Sequence, residues 1–293
     1  MAYFLAVANR KGGVGKSTTA VMLAHAMAAW GRKRVLVVDL DSQCNSSMIL
    51  VGGKGWLDAK NKQTTIADYF FDLYEGVMPN AKDYLIRGAG DVAAPGQAGI
   101  TLAPGSLLLD DMQGELFLKE SRQSTDHLVV TNRVRGKIKQ LIRRFEADFD
   151  VVIMDCPPGI SFAALSAMEL ANKIVVPFRP DYVSQFAVER VAMLIENKDL
   201  PDSLYAVPFE KRRYVALANF VEPTGQDRFF IDLIADDHPT LATQLPLNPL
   251  IARSFSYVDG GKRSIEDKYG PVTEDVRKLY DEMTALMAVR QAA

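Results

Sequence analysis

Arg10-Lys11-Gly12-Gly13-Val14-Gly15-Lys16-Ser17-Thr18 is the stretch whose reading decides the fold. An apolar run, residues 4–8, precedes it. Residues 17–30 follow, rich in Ala and Met, with no Gly or Pro before Gly31. Strand, glycine loop and helix in that order form the context in which such a loop cradles phosphate. Gly12, Gly13 and Gly15 let the backbone turn tightly and bring its N–H groups onto phosphate oxygens. The helix that begins near Ser17 aims its positive end at the same anion. Lys16 can reach β- and γ-phosphates, and the Ser17 hydroxyl can ligate Mg²⁺. A plain glycine turn accounts for the glycines but leaves Lys16-Ser17 unexplained.

Outward from the loop, four more apolar runs resemble the first: residues 35–38, 151–154, 174–178 and 214–220. None alternates polar with apolar, the pattern of strands buried on both faces of a parallel sheet. Residues 100–103 and 242–245 are weaker strand candidates. Helical patterns fill the gaps at 17–30, 132–147, 184–197 and 272–289. In the second of these Val134, Ile138, Leu141, Ile142 and Phe145 share one face. The alternation predicts a doubly wound, mostly parallel α/β sheet with helices on both faces. Residues 52–63 and 88–99 have loop composition and flank a short helix at 66–74. Residues 52–99 therefore read as an insertion at one edge of a single domain, 1–293.

The chain has 293 residues, Lys+Arg 34 against Asp+Glu 36, net charge −2 and 48% hydrophobic residues. That composition excludes a disordered chain. No apolar run reaches the ~18 residues of a membrane-spanning helix. The first residues lack a basic n-region and read as a strand, not a signal peptide. Cys44 and Cys156 are too few for a disulfide framework or a four-thiolate zinc site, so a reducing cytoplasm is the expectation. A charge near zero argues against coating nucleic acid with the whole surface, but leaves room for local basic patches.

The loop departs from the ordinary P-loop. Arg10 stands where a first glycine is usual, and Lys11 precedes the paired glycines. This deviant Walker A form resembles the ParA/MinD family of ATPases, of the SIMIBI class of P-loop NTPases, and more closely its ParA branch. VLVVDLDSQCN at 35–45 is similar to the family's second strand and switch I. DVVIMDCPPGIS at 150–161 is similar to its Walker B and switch II. ITLAPG at 100–105, the run at 215–220 and LPLN at 245–248 agree in order. Within switch I, Ser42 replaces the usual proline and Cys44 the usual glycine.

Asp39 and Asp41 end one predicted strand and Asp155 another, at the edge where such sheets collect ligands. Carboxylates beside a phosphate loop need a cation, which Mg²⁺ bridging phosphates supplies. The resemblance implies ATP and Mg²⁺ as cofactors, held by Lys11, Gly12, Gly13, Val14, Gly15, Lys16, Ser17 and Thr18. It places Ser17, Asp41 and Asp155 around the metal. It makes Asp41 the group that positions water, Asp155 a holder of the Mg²⁺ shell through water, and Asp39 a support. Lys11 becomes a signature lysine that crosses a nucleotide-sandwich homodimer to the partner's phosphates, like an arginine finger in trans. By position, Asn219 meets the adenine edge and the backbone around Pro246 lines the base.

Basic residues cluster at 32–34, at 211–213 and along one helix: Arg133, Arg135, Lys137, Lys139, Arg143 and Arg144. ParA relatives bind DNA without sequence preference through their C-terminal part, which nominates Arg253, Lys262 and Arg263. The family resemblance further implies ATP hydrolysis stimulated by a ParB-like or other cargo adaptor, and a cytoplasmic, nucleoid-associated protein that partitions or positions a cargo. The alternative is a MinD-like membrane-cycling regulator of division or placement. The last helical pattern carries Glu274, Asp275, Asp281 and Glu282, which favours packing on the sheet over membrane anchoring. Two cysteines also invite comparison with the nitrogenase iron protein, but their placement disagrees. The two switch motifs argue against a dethiobiotin-synthetase-like ligase.

Overall fold

A computed structural model of the chain describes residues 1–254, 256–258 and 261–291. The chain alternates strands and helices from its first residues. The first half runs β1 (Tyr3–Val7), α1 (Lys16–Ala29), β2 (Arg34–Asp39), α2 (Asn45–Asn61), α3 (Ile66–Tyr74), β3 (Ile86–Ala89), β4 (Gly99–Ala103), α4 (Leu109–Ser121) and α5 (His127–Arg143). The second half runs β5 (Val151–Asp155), α6 (Phe162–Leu170), β6 (Lys173–Phe178), α7 (Tyr182–Glu196), α8 (Pro201–Tyr205), β7 (Tyr214–Val221), α9 (Gly225–Asp237), β8 (Leu245–Pro246), α10 (Pro249–Ser254), α11 (Ile265–Tyr269) and α12 (Thr273–Gln291).

The strands form one eight-stranded sheet in the order β3-β4-β2-β5-β1-β6-β7-β8. All neighbours are parallel except β3 against β4. One core layer packs α3–α7 and α9 on one face; the other packs α1, α2, α11 and α12 on the opposite face. The helix after β1 covers one face and the helix after β5 the other, although the two strands are neighbours. A crevice therefore opens at their carboxyl ends, the switch point where α/β sheets bind ligands. Registry brings Val7, Asp155 and Asp39 level across β1, β5 and β2.

The doubly wound, mostly parallel architecture agrees with the sequence pattern, and the five strong strands all form. Two details differ. Residues 52–61 are not a loop: they belong to α2, which has one break at Gly52 (φ 68°, ψ 168°). Glycine lowers helix propensity, but tertiary contacts override it: Trp56 is buried and donates its indole N–H to the Gly105 carbonyl at 3.1 Å. The second is β3, a short antiparallel edge strand inside a stretch of loop composition. The segment lies at one edge of the sheet, yet Ile66, Ala67, Tyr69 and Phe70 from it enter the core.

α12 buries Val276, Leu279 and Met283 against α1. Its apolar face is occupied within the fold. Among the described residues no helix is long and apolar enough to cross a membrane.

Candidate functional site

The glycine loop joins β1 to α1 at the crevice. Gly15 sits at the N-cap with φ 87°, a left-handed conformation that glycine adopts without strain. No side chain caps the helix, and its first turn carries no acidic residue. The orphan N–H groups and the positive end of α1 are left for an anion. The loop is braced from below. Asn9 donates its amide to the Pro177 carbonyl (2.8 Å) and accepts from the Lys11 N–H (3.0 Å). The Gly159 N–H donates to the Arg10 carbonyl at 3.2 Å, which ties the loop to the segment after β5.

Lys16 is 6% exposed. Burial lowers its pKa; Asp155 and Asp41 oppose that shift. Among the described residues its ammonium donates only to the Lys11 carbonyl, at a long 3.3 Å. Asp39 and Asp155 are fully buried neighbours. Burial raises both pKa values, and their mutual repulsion raises that of Asp39 further. Asp39 is well satisfied: one oxygen accepts from the Ser47 N–H (2.9 Å) and hydroxyl (2.6 Å), and the other from the Asp41 N–H (3.3 Å). The Ser47 hydroxyl also accepts from the Gly105 N–H at 2.9 Å. Asp39 is thus a structural brace for switch I.

Asp155 differs. Its Oδ2 accepts from the Ser46 hydroxyl at 2.6 Å, while its buried Oδ1 lacks a partner in hydrogen-bonding geometry among the described residues. The nearby Ser17 hydroxyl draws its pKa down against the effect of burial. Asp41 is 5% exposed, with a pKa raised by burial and restrained by the Gln43 N–H (2.9 Å) and by Lys16. The crevice therefore holds buried charges that an incoming cation and polyanion would balance.

The two departures in switch I now have a structural reading. Cys44 stands at the N-cap of α2 with φ 54°, the left-handed conformation a glycine takes freely. The Ser42 hydroxyl donates to Asp110 of α4 at 2.7 Å. Both thiols are free and buried. Burial raises their pKa values, that of Cys44 to about 12, so neither is a reactive thiolate at neutral pH.

Lys11 pairs with Asp181 of its own chain at 2.6 Å. Asp181 also caps α7 by accepting from the Ser184 N–H. Burial alone would push that carboxyl up, but Lys11 and Ser184 hold it below its ordinary value. Asn219 is brought to the loop itself. Its amide donates to the Val14 carbonyl at 2.9 Å and its oxygen accepts from the Phe220 N–H. Pro246 follows Leu245, the register partner of Asn219, on β8. Arg253 and Lys262 are exposed, whereas Arg263 is held by Asp91 at 2.8 Å. Asn9, Ser46, Ser47 and Asp181 were not singled out from the sequence. The one local signal was Asp181 three residues before Ser184, an N-cap spacing.

The sequence profile of the AAA domain family matches residues 2–201. Chromosome partitioning protein ParA of Caulobacter vibrioides is 30% identical over 193 residues, 66% of this chain and 61% of that protein. Sporulation initiation inhibitor protein Soj of Bacillus subtilis is 27% identical over 197 residues, 67% of this chain and 65% of that protein. The chain spans about three-fifths of the length of the curated relatives it matches. A solved ATP complex of a Cyanothece McdA variant superposes with a TM-score of 0.66 at 14% identity, covering 98% of this chain and 96% of that one. The cell division ATPase MinD of Pyrococcus furiosus does so with 0.64 at 18% identity, covering 98% and 100%. At these identities the structural likeness is one of fold. With the profile matched across both switch motifs and the loop, the chain belongs to the AAA domain family, and the curated relatives it resembles include ParA and Soj.

Proposed function

We propose that this protein is a ParA-like ATPase that binds Mg²⁺·ATP at residues 11–18, pairs with a second copy through the nucleotide, and hydrolyses ATP slowly until an adaptor stimulates it. The observation that carries this reading is one crevice holding three things: an uncapped helix N-terminus, the buried Lys16, and the buried Asp155, whose Oδ1 lacks a partner in hydrogen-bonding geometry among the described residues and lies near the Ser17 hydroxyl. Mg²⁺ keeps several waters and takes few protein ligands beside substrate phosphates, which suits Ser17 and Asp155. When bound, it neutralises charge on the β- and γ-phosphates.

The chain's own groups do the rest. Backbone N–H groups of residues 12–18 hold the phosphates. Lys16 moves from the Lys11 carbonyl onto phosphate oxygen. Asp41, held by the Gln43 N–H, orients the attacking water. Lys11 exchanges Asp181 for the partner's phosphates in the paired state. Asn219 acts first as a clasp on the loop, with the base lying against the backbone near Pro246. The paired state binds duplex DNA without reading bases, through exposed cations of the C-terminal part, Arg253 and Lys262, with Arg263 beside them. The cellular role is partition or positioning of a cargo over the nucleoid, in the cytoplasm, with a ParB-like or other adaptor. The buried apolar face of α12 favours this reading over MinD-like membrane cycling.

The test is ATP turnover by purified protein with Mg²⁺. Asp41→Ala should bind ATP with near wild-type affinity and lose at least about 100-fold in turnover, because a water-positioning carboxylate acts in the transition state. Turnover at the wild-type rate in that variant removes Asp41 from the mechanism.

A further inference from the structure

Two of the basic clusters lie far apart in sequence and meet in space. Arg32, Lys33 and Arg34 form the turn from α1 into β2, and Arg143 and Arg144 end α5. Lys33, Arg34, Arg143 and Arg144 line one open cavity of about 640 Å³. A second cavity of about 380 Å³ continues from it past Arg34 and Asp150 to Arg32 and the 95–98 turn. All five cations are exposed. This groove lies at the amino ends of β2 and β5, about 17 Å along the strands from Asp39 and Asp155.

Partnering decides which basic residues are free to meet an outside anion. On α5 the sequence shows a basic stripe, but Arg135 and Lys139 are taken by Glu169, and Arg133 and Lys137 by Glu120. Near the C-terminus, Arg263 is taken by Asp91. In the groove, Arg34 pairs with Asp150 at 2.8 Å, and Arg144 donates to the Pro79 carbonyl. Arg32, Lys33 and Arg143 have no ion-pair partner among the described residues. Lys33 acts on Asp150 only at a distance. Glu146 is the remaining acid in the lining.

We infer that this groove is a second duplex-DNA contact, engaging backbone phosphates through Arg32, Lys33 and Arg143 whatever nucleotide is bound. The inference rests on the DNA-binding reading above and adds to it a surface on the far end of the sheet. Exposed, unpaired Lys and Arg around an open groove are what sequence-independent phosphate contacts require. An anionic bilayer is the poorer fit, because interfacial binding needs bulky apolar side chains beside the cations. Phe149 is buried, and Met1 is the only large apolar side chain exposed in the lining. The groove uses no residue of the nucleotide crevice, so it binds in the ADP state.

The experiment is a salt titration of short mixed-sequence duplex binding, by fluorescence anisotropy, in ADP and in ATP. The wild type is compared with the triple variant Arg32→Gln, Lys33→Gln, Arg143→Gln. In ADP the variant's slope of log affinity against log salt should be shallower by about 2.7, one phosphate contact per lost cation. Its thermal unfolding should match the wild type, since all three side chains are exposed. An unchanged slope, or no duplex binding by wild type with ADP at low salt, overturns the groove. So does triple-variant-sensitive binding to phosphatidylglycerol vesicles in place of duplex. If the ADP slope falls as stated but ATP adds no further steepening in wild type, the groove stands and ATP-gated binding by the C-terminal patch fails.

Discussion

The two ends of α1 both carry positive charge, placed by opposite physical means. At the N-terminal end, Lys16 is 6% exposed and sits among buried carboxylates under a directed set of backbone N–H groups. At the C-terminal end, Arg32, Lys33 and Arg34 stand in solvent. A buried cation escapes ionic screening and demands an anion of one shape; an exposed one is screened within about 8 Å at physiological salt and accepts any phosphate. On the functions proposed above, one helix joins a selective site to a loose, salt-sensitive one. The affinity for ATP should vary little with salt, and that for duplex steeply.

The largest effect that can break this contrast is Lys16→Ala. Losing a charge-assisted contact to phosphate in a buried site should weaken ATP binding by about 100-fold or more. Duplex binding in ADP should stay unchanged in kind if ADP is supplied at saturating concentration. Calorimetric titration with ATP reads the first and anisotropy the second. Equal ATP affinity in the variant would remove the phosphate-loop assignment.

Gly15→Ala is the next in size. Gly15 has φ 87°, and a Cβ there would overlap the Asn219 amide. ATP affinity should fall about tenfold, equivalent to ~1.4 kcal/mol. Adding Asn219→Ala removes the obstruction but leaves the φ strain, so the double variant should recover part of the loss. A double variant no better than Gly15→Ala would show that the clasp is irrelevant.

The smallest effect concerns the middle of the helix. His25 is fully buried on α1, its Nδ1 2.8 Å from the Tyr269 hydroxyl. Burial first, then Lys268, lowers its pKa to about 3. The unfolded chain takes up this proton below about pH 6.5 and the native state does not. The native pKa lies below the unfolded one, so stability present at neutral pH is lost as pH falls from 6.5 toward 3. His25→Gln should make the fall between pH 7 and 5.5 shallower by about 1 kcal/mol, read from urea melts at both values. An identical slope would mean that His25 is already protonated in the native protein.

The same contrast explains what the sequence could disclose. The phosphate loop was legible because its chemistry needs fixed residue types at contiguous positions. The five inner strands were legible because burial on both faces leaves unbroken apolar runs. The glycine that switch I lacks was legible too, and its consequence is the left-handed Cys44. Long-range partners were not. Lys11 meets Asp181 across 170 positions. The stripe on α5 looks like a nucleic-acid surface until Glu120 and Glu169 arrive from α4 and α6. Helix α2 was hidden by three glycines whose cost Trp56 offsets by reaching Gly105, outside the segment. Strand β3 was hidden because four residues with a glycine and an antiparallel bulge carry no period.

Nucleotide-controlled pairing is the central claim, and Asp41→Ala tests it most directly, because slow turnover preserves the ATP state. The measurement is molar mass by size-exclusion chromatography with light scattering, with Mg²⁺·ATP and with Mg²⁺·ADP. The prediction is twice the monomer mass with ATP and the monomer mass with ADP. The same mass in both nucleotides, with ATP binding confirmed by calorimetry, would contradict it.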